Sequence, residues 1–418
     1  MQQPQSIWDG VPSDTLPRDP GIQRALQRIS NAELRTGNSL ALLQDGPATF
    51  DDWLGAIGRA RRWVHLENYI FKPNDQIGKQ FTDALIERAR AGVAVRVLYD
   101  WFGSWDVPTS YWERMRKEGV DVRAVNSLVV GAPFAAINRD HRKLVAVDGT
   151  YASIGGVCIA DPWLQRSPIT NLPYRDTAVR VHGPAVADLE RAFARIWDRT
   201  GAPLPTEEQP RISAIATAGD VAVRVIVEEP GRMRMLGVMQ LALASARSRL
   251  WIADAYFLAV PQLRETLIVA ASAGVDVRIL LPATNDLPIV GAFSRAGYRP
   301  FLEAGVRIWE YSGLMMHAKT SVGDGCWARV GSTNLNVTGL LTNWEMDILA
   351  EDPRFGAQME VMYLEDLSHA REIRLRPTHG PGLVRLGEQP KPDRVQTIQE
   401  RRAQRDRGLQ APASATVA

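Results

Sequence analysis

The sequence predicts an α/β fold made of two similar halves, because matched segments recur along the chain in the same order. Residues 84–98 (ALIERARAGVAVRVL) and 266–280 (TLIVAASAGVDVRIL) each combine a helix-like stretch, an Ala-Gly pair and an alternating strand. Residues 141–156 (HRKLVAVDGTYASIGG) and 317–332 (HAKTSVGDGCWARVGS) form a second matched pair. Such recurrence indicates an internal repeat.

Two shorter matched pairs complete the order of elements. WVHLENYIF (63–71) corresponds to WIADAYFLA (251–259), and KEGVDVRAV (117–125) corresponds to EAGVRIWEY (303–311). Each half therefore runs strand, helix, strand, helix, strand and hairpin. Alternating strands and helices favour a mostly parallel sheet in each half.

Length and composition indicate a globular chain. Its 418 residues are enough for two or three domains, and 45% hydrophobic with 23% charged residues excludes disorder or coiled coil as a description of the whole. The 49 basic and 47 acidic residues leave a net charge of +2, so no nucleic-acid partner is expected. The chain has only two cysteines, which form no disulfide framework and fit a reducing compartment.

Stretches rich in Pro, Gly and polar residues mark the borders of the repeats. The predicted organisation is an N-terminal extension (1–36), a first domain (37–200), a linker (201–220), a second domain (221–375) and a disordered tail (376–418). The first residues lack the basic and apolar regions of a signal peptide, and no apolar run reaches the ~18 residues of a membrane span. Any membrane contact is therefore predicted to be peripheral.

One pattern of three residues occurs in both halves at matching places. A histidine, a lysine and an aspartate are spaced 0, 2 and 7 in each copy, as His141, Lys143 and Asp148 and as His317, Lys319 and Asp324. Residues i and i+2 of a strand share a face, so each histidine lies beside its lysine. If the halves pack around a pseudo-twofold axis, two imidazoles and two ammonium groups meet in one pocket. That set suits a phosphodiester, because it places positive charge around the phosphate oxygens.

Other chemistries fit the pattern less well. Zinc would favour carboxylates or thiolates among its ligands and would be repelled by the adjacent lysine, and a catalytic triad would favour a serine or cysteine nucleophile beside one histidine. We therefore expect neither a metal nor another cofactor. Asp148 and Asp324 each precede a glycine, and Asp-Gly is a common hairpin turn. We favour this structural role over direct contact with substrate, although both aspartates belong to the candidate catalytic set.

The ends of the two motifs predict an asymmetric site. Ser332 and Asn334 follow the second motif and are candidate donors to phosphate oxygens. The matching positions of the first copy are Gly156 and Cys158, so Asn334 has no amide counterpart there.

Two acidic residues follow the motifs at similar places. Asp176 and Glu345 are candidate orienters of a histidine, or alternatively strand-end salt-bridge partners. The apolar loop 128–137, present only in the first half, is interpreted either as a buried connection or as a lipid-facing lip.

With these residues the chain resembles the phospholipase D superfamily, and within it the bacterial cardiolipin synthases. The resemblance covers about residues 37–370 and is carried by both motifs and by phrases such as GNSLALLQDG and YRDTAVRVHGPAV. It implies two tandem phospholipase D-like α-β-α sandwich domains related by a pseudo-twofold axis, with the active site at their interface. Two departures are visible: many relatives have N-terminal transmembrane helices, and such synthases often carry Asn where this chain has Cys158.

The resemblance also implies a mechanism. His141 would attack the phosphorus to form a phosphohistidine, and His317 would serve as general acid and base, without a metal or other cofactor. The implied substrate is a phospholipid, most simply phosphatidylglycerol, met at the cytoplasmic side of the cell membrane. Three alternatives stay open at this point: a lipid hydrolase that uses water, a nuclease of the same superfamily, and a scaffold without catalysis.

Overall fold

A single mixed β-sheet runs through both halves of the protein. The computed structural model describes residues 16, 18–126, 138–164, 173–313 and 315–375. The strands of the first half are β1 (Arg35–Gln44), β2 (Trp63–Asn68), β3 (Ala94–Asp100), β4 (Asp121–Val125), β5 (Leu144–Val147), β6 (Tyr151–Gly155) and β7 (Thr177–His182). Those of the second half are β8 (Val221–Glu228), β9 (Arg249–Ala253), β10 (Asp276–Pro282), β11 (Arg307–Tyr311), β12 (Thr320–Gly323), β13 (Trp327–Gly331), β14 (Glu345–Glu351) and β15 (Ala370–Ile373).

The order of the strands shows the repeat directly. In the described part of the chain the sheet runs β15-β11-β10-β9-β12-β13-β14-β8-β1-β7-β6-β5-β2-β3-β4. Read outwards from the central β8–β1 pair, the two sides carry equivalent strands in the same order, and β15 is an addition at one edge. The α/β fold of two repeated sandwich units related by a pseudo-twofold is therefore confirmed.

The expectation of a mostly parallel sheet in each half is wrong. Only β2-β3-β4 and β9-β10-β11 run parallel. The motif segments fold into the antiparallel hairpins β5–β6 and β12–β13, and the strands towards the centre of the sheet stay antiparallel. A tight Asp-Gly turn reverses the chain within a few residues, whereas a parallel neighbour requires a crossover helix.

Helices cover both faces of the sheet. They are α1 (Pro20–Ser30), α2 (Asp45–Gly58), α3 (Gln76–Arg90), α4 (Thr109–Lys117), α5 (Asp161–Leu164), α6 (Ala185–Arg199), α7 (Arg234–Ala244), α8 (Pro261–Ser272), α9 (Pro288–Ala296), α10 (Tyr298–Glu303) and α11 (Pro353–Ser368). Local signals fix their ends. Asp352, for example, accepts hydrogen bonds from the first free amides of α11, and Pro353 occupies its first position.

Alternation along the strands divides the interior into three cores. In β5, Leu144 and Ala146 join a core under α6 and α11 that is shared by both halves, whereas Val145 and Val147 pack on the opposite face with α2, α3 and α4. The second half has its own core on that opposite face, beneath α7 and α8. The shared core fixes the two halves against each other, and the site described below depends on this placement.

Several sequence predictions concern segments beyond this core. The 201–220 segment contains two short 3-10 turns (Thr206–Glu208 and Ile212–Ala214), and the 1–36 segment contains α1. The predicted domain boundaries stay predictions. The loop 128–137 and the tail 376–418 lie outside the described residues. Within the described residues, no helix has the length and apolar character needed to cross a membrane.

Candidate active site

Two short backbone bridges join the halves where the motif strands begin. The amide of His141 donates to the Trp344 carbonyl at 3.0 Å, and the amide of His317 donates to the Arg175 carbonyl at 2.7 Å. Each bridge thus connects the start of a motif in one half to the start of β14 or β7 in the other. The bridges are equivalent under the pseudo-twofold, and they bring the motifs of both halves to one place.

Each motif histidine contacts a carboxylate from the other half. His141 Nδ1 lies 3.1 Å from Glu345 Oε2, and His317 Nδ1 lies 2.7 Å from Asp176 Oδ2. All four side chains are buried. The structure therefore brings both candidate orienting carboxylates to the histidines, and it pairs them crosswise between the halves.

These contacts fix which ring nitrogen of each histidine is free. His141 Nδ1 also lies 3.2 Å from the Ser332 carbonyl, which can only accept a hydrogen bond. Nδ1 must therefore carry the proton, and Nε2 keeps its lone pair. The Asp176 carboxylate likewise accepts a hydrogen bond from His317 Nδ1. His317 therefore also carries its proton on Nδ1. Both histidines thus present Nε2 as the nitrogen available for chemistry.

Both motif lysines are buried beside the histidines. Lys143 Nζ donates to the backbone carbonyl of His141, and Lys319 Nζ does the same to His317. Lys319 Nζ also lies 3.0 Å from both ring nitrogens of His317, so it is not directed at either one alone. Burying two ammonium groups in one pocket is costly unless an anion balances them.

The pKa shifts of the cationic groups have a common cause. Burial and the charges of both lysines lower the pKa of His141 well below its ordinary value. Burial and Lys319 lower the pKa of His317 to about 4, although Asp176 acts in the opposite direction. Burial also lowers the pKa of Lys319 to about 8, with Asp176 opposing it. The pocket therefore disfavours additional positive charge until an anion enters.

The two carboxylates paired with the histidines differ in their charge. Burial opposes ionisation of Asp176, but the charges of His317 and Lys319 outweigh it and lower the pKa of Asp176 to about 2. Burial raises the pKa of Glu345 to about 7, against the charge of Lys143 and hydrogen bonds from Ser332 and Asn343. Asp176 is thus a fixed anion at neutral pH, whereas Glu345 is close to half protonated.

The ends of the motifs add to this asymmetry. Ser332 Oγ donates to Glu345 Oε2 at 2.5 Å and accepts from the amide of Met346 at 3.0 Å. At the equivalent place in the first half stands Gly156, where a Cβ atom would lie 2.2 Å from Asp176 Oδ1. Asp176 receives its hydrogen bond from Trp163 Nε1 instead, at 2.7 Å. The serine hydroxyl is engaged by the protein, and its role as a phosphate donor stays a prediction.

Asn334, the second candidate phosphate donor, is nearly buried. Its Oδ1 has no hydrogen-bond partner. This oxygen can only accept a hydrogen bond, so it does not itself favour a phosphate oxygen, and donation from the Asn334 Nδ2 group to phosphate stays a prediction.

The motif aspartates do not join this cluster. Asp148 accepts hydrogen bonds from the backbone amides of residues 61, 62 and 63, and Asp324 does the same for residues 247, 248 and 249. Each lies at the far end of its motif strand, with β5 or β12 between it and the histidine. Both have a left-handed backbone, at φ 55° and 53°, as do the glycines that follow. This is the geometry that an Asp-Gly turn favours.

We therefore expect Asp148→Asn to change stability rather than catalysis. The amide would present an N–H group to backbone N–H groups that now face a carboxylate, so the free energy of unfolding should fall by about 1–3 kcal/mol. Chemical denaturation would measure this loss, and kcat of the folded variant should stay within about threefold of the wild type. A folded variant with a hundredfold lower kcat would instead support a direct role.

Sequence reasoning missed the aromatic residues around the histidines. The Tyr69 ring packs edge-on against His141 with centroids 4.8 Å apart, and Tyr256 does so against His317 at 5.9 Å. Trp163 also contacts His317, at 5.1 Å. A signal was present for the tyrosines, because each lies two residues after the acidic residue of the matched phrases WVHLENY and WIADAY. These rings form apolar walls beside the imidazoles.

The site contains no set of side chains arranged as metal ligands. Among the residues that the structure describes, no group of three or more His, Cys, Asp or Glu side chains could hold a metal ion. The functional groups near the histidines are two ammonium groups, two carboxyl groups and aromatic rings. Together they can activate a nucleophile, transfer a proton and bind an anion.

Comparison with known proteins gives a consistent result. A sequence profile described as "Cardiolipin synthase, PLD-like domain" matches residues 54–197 and 239–367. The cardiolipin synthase of Alkalihalophilus pseudofirmus is 32% identical over 356 residues, which cover 84% of this chain and 70% of that protein. Cardiolipin synthase A of Pseudomonas putida W619 is 35% identical over 351 residues, covering 84% and 73%.

A solved structure shares the fold. The crystal structure of phosphatidylserine synthase from Haemophilus influenzae superimposes with a TM-score of 0.64 over 84% of this chain and 91% of that one, at 14% sequence identity. This likeness supports the arrangement of the two repeated units.

Proposed function

This chain belongs to the family of cardiolipin synthases with phospholipase D-like domains, and from that premise we propose that it transfers the phosphatidyl group of one phospholipid to a hydroxyl of another. The simplest such reaction joins two molecules of phosphatidylglycerol into cardiolipin and releases glycerol. The observation that carries the proposal is the crossed pairing of two buried histidines with two carboxylates, beside two buried lysines.

In the first step His141 acts as the nucleophile. Its Nε2 lone pair attacks the phosphorus, the bond from phosphorus to the glycerol oxygen breaks, and a phosphohistidine forms. The leaving oxygen takes a proton from His317 Nε2. The bound phosphodiester carries the negative charge that the pocket favours, and it therefore raises the pKa of His317 towards neutrality. Asp176 stabilises the protonated ring.

In the second step the acceptor lipid takes the place of the glycerol. Its hydroxyl gives a proton to His317 Nε2 while its oxygen attacks the phosphorus, and the bond to His141 breaks. Lys143 and Lys319 offset the charge of the phosphate oxygens during both steps. The result is a new phosphodiester and the starting form of the enzyme. The aromatic walls disfavour water as the competing acceptor.

The membrane surface is the proposed location, because both substrates are lipids. The chain is expected to act there from the cytoplasmic side as a peripheral protein. Cys158 and Cys326 are both buried free thiols, which fits a reducing compartment.

The reaction products test the proposal. Purified protein incubated with phosphatidylglycerol vesicles should yield cardiolipin and glycerol in equal amounts, as measured by mass spectrometry. Phosphatidic acid as the sole lipid product would show instead that water is the acceptor and that the protein is a hydrolase. Nicking of plasmid DNA with no lipid turnover would point to a nuclease.

The pKa shifts predict the pH dependence of kcat/KM, which reports the free enzyme. His317 must be protonated to act as the acid, and its pKa is about 4, so kcat/KM should fall as pH rises from 6 to 8. Above about pH 8 the fall should steepen, because Lys319 then also loses its proton. A kcat/KM that rises over this range would contradict the assigned protonation states.

A further inference from the structure

Helix α9 exposes apolar side chains that do not contribute to the core. None of its nine residues is buried. Ile289 is 72% exposed and Phe293 is 65% exposed, and Leu287, just before the helix, is 54% exposed. Large apolar groups this exposed on one helix usually mark an interaction surface.

The first half carries a matching set at the equivalent place. Phe102 is 49% exposed and Trp105 is 70% exposed, and both lie in the turn after β3. Because β3 and β10 are equivalent strands of the repeat, the two sets follow the same end of the sheet. We call these five residues (Phe102, Trp105, Leu287, Ile289 and Phe293) the apolar rim.

The apolar rim is anchored beside the active site in both halves. In the second half, the Tyr256 hydroxyl donates to Asp286, next to Leu287, at 2.8 Å, while the Tyr256 ring contacts His317. In the first half the link runs through one carboxylate, that of Asp100. It accepts from the amides of Phe102 and of Asp140, the neighbour of His141, at 3.0 and 2.8 Å.

We propose that the apolar rim inserts into a phospholipid bilayer and places the active site on the membrane surface. This deepens the proposed function, on which it rests for the lipid substrate. In both halves the segments that carry these side chains are linked by hydrogen bonds to residues beside the histidines, so a bilayer that buries the rim lies next to the site. A lipid substrate reaches the site from a bilayer, and a protein partner or a second copy seated on the rim would keep that bilayer away. Tryptophan is enriched at the depth of the lipid headgroups, and tryptophan, phenylalanine and leucine are typical of protein surfaces that insert there.

A charge-introducing double variant tests the proposal. Ile289→Glu with Phe293→Glu should lower binding to vesicles of equal parts phosphatidylglycerol and phosphatidylcholine by about tenfold or more, as measured by co-sedimentation. The experiment is run in 0.5 M NaCl, where electrostatic attraction is screened. Val361→Glu is the matched control, because Val361 is 67% exposed on α11 and does not belong to the apolar rim. It should bind vesicles like the wild type.

The first half offers an independent measurement. Tryptophan emission should shift to shorter wavelength when vesicles are added to the wild type, since Trp105 enters an apolar environment. The shift should be largely lost in Trp105→Phe. Unchanged vesicle binding by the Glu double variant would overturn the proposal. So would a double variant that changes from dimer to monomer in analytical ultracentrifugation while binding vesicles normally, because the rim would then be a subunit interface.

A soluble substrate separates this proposal from the proposed function. The double variant should turn over short-chain phosphatidylglycerol, kept below its critical micelle concentration, at a rate within about twofold of the wild type. If the wild type turns over neither the vesicle lipid nor the soluble one, the proposed function fails and the vesicle-binding result still stands. If turnover is normal and the rim variants bind vesicles fully, only the membrane-docking proposal fails.

Discussion

Replacement of His141 by Asn is expected to abolish phosphatidyl transfer, with kcat lowered by about 10³-fold or more. The reason is the loss of the Nε2 lone pair. The lysines beside it are ammonium donors, Glu345 is engaged by three hydrogen bonds, and His317, whose Nε2 is also free, is assigned to proton transfer. The asparagine amide can still donate to Glu345, so the fold should be preserved. His317→Asn should lower kcat to a similar extent, by removing the acid.

A substrate with a good leaving group distinguishes the two histidines. In a phosphatidyl ester of p-nitrophenol the leaving group is p-nitrophenolate, which departs without taking a proton. His317→Asn should therefore still complete the first step. It should release a burst of one p-nitrophenol per protein and then stop, with the phosphatidyl group on His141. His141→Asn should show no burst. The reverse pattern would exchange the two assigned roles, and bursts from both variants would place the nucleophile elsewhere.

Replacement of Asp176 by Asn is expected to have the second-largest effect, lowering kcat by about 10²- to 10⁴-fold. The Asp176 carboxylate holds His317 in the tautomer that leaves Nε2 free, and it stabilises the ring when protonated. An amide can donate to Nδ1, which would favour the opposite tautomer. Because the carboxylate is fully ionised at neutral pH, its loss removes a whole charge from the pocket.

Glu345→Gln is the matched control for this prediction. Burial raises the pKa of Glu345 to about 7, so a neutral amide imitates a form that the wild type already populates, and a loss of only about tenfold in kcat is expected. The pH profile provides a second measurement, since Asp176→Asn should also lower the pKa of His317. Equal losses in the two variants, with unchanged pH profiles, would show that both carboxylates serve only the fold.

Much of the candidate site could be predicted because the repeat gives each motif a partner. The matched spacing of His141 with Lys143 and of His317 with Lys319 is visible in the sequence, and the helices and strands around them follow from periodicity. The candidate orienters Asp176 and Glu345 could also be named from their position. The pairing of each carboxylate with a particular histidine could not be predicted. It depends on the backbone bridges between the halves, and residue spacing contains no information about such bridges.

The remaining differences have physical causes as well. The expectation of a mostly parallel sheet in each half was wrong. Alternating helices and strands do not predict the hairpins that separate β2 from the centre of the sheet. Tyr69 and Tyr256 escaped notice because aromatic residues in strands usually belong to a core. Their proximity to the imidazoles depends on where β2 and β9 end relative to the motif strands, and that is a property of sheet register.

The crosswise pairing makes each repeat dependent on the other. A separately produced first half would contain His141 without Glu345, and a second half would contain His317 without Asp176. Neither fragment would be a working enzyme of half the size. A mutation of the carboxylate in one copy changes the environment of the histidine in the other copy. The two copies therefore do not diverge independently at these positions. Their coexistence in one polypeptide guarantees equal amounts of both, which two separate genes would have to coordinate.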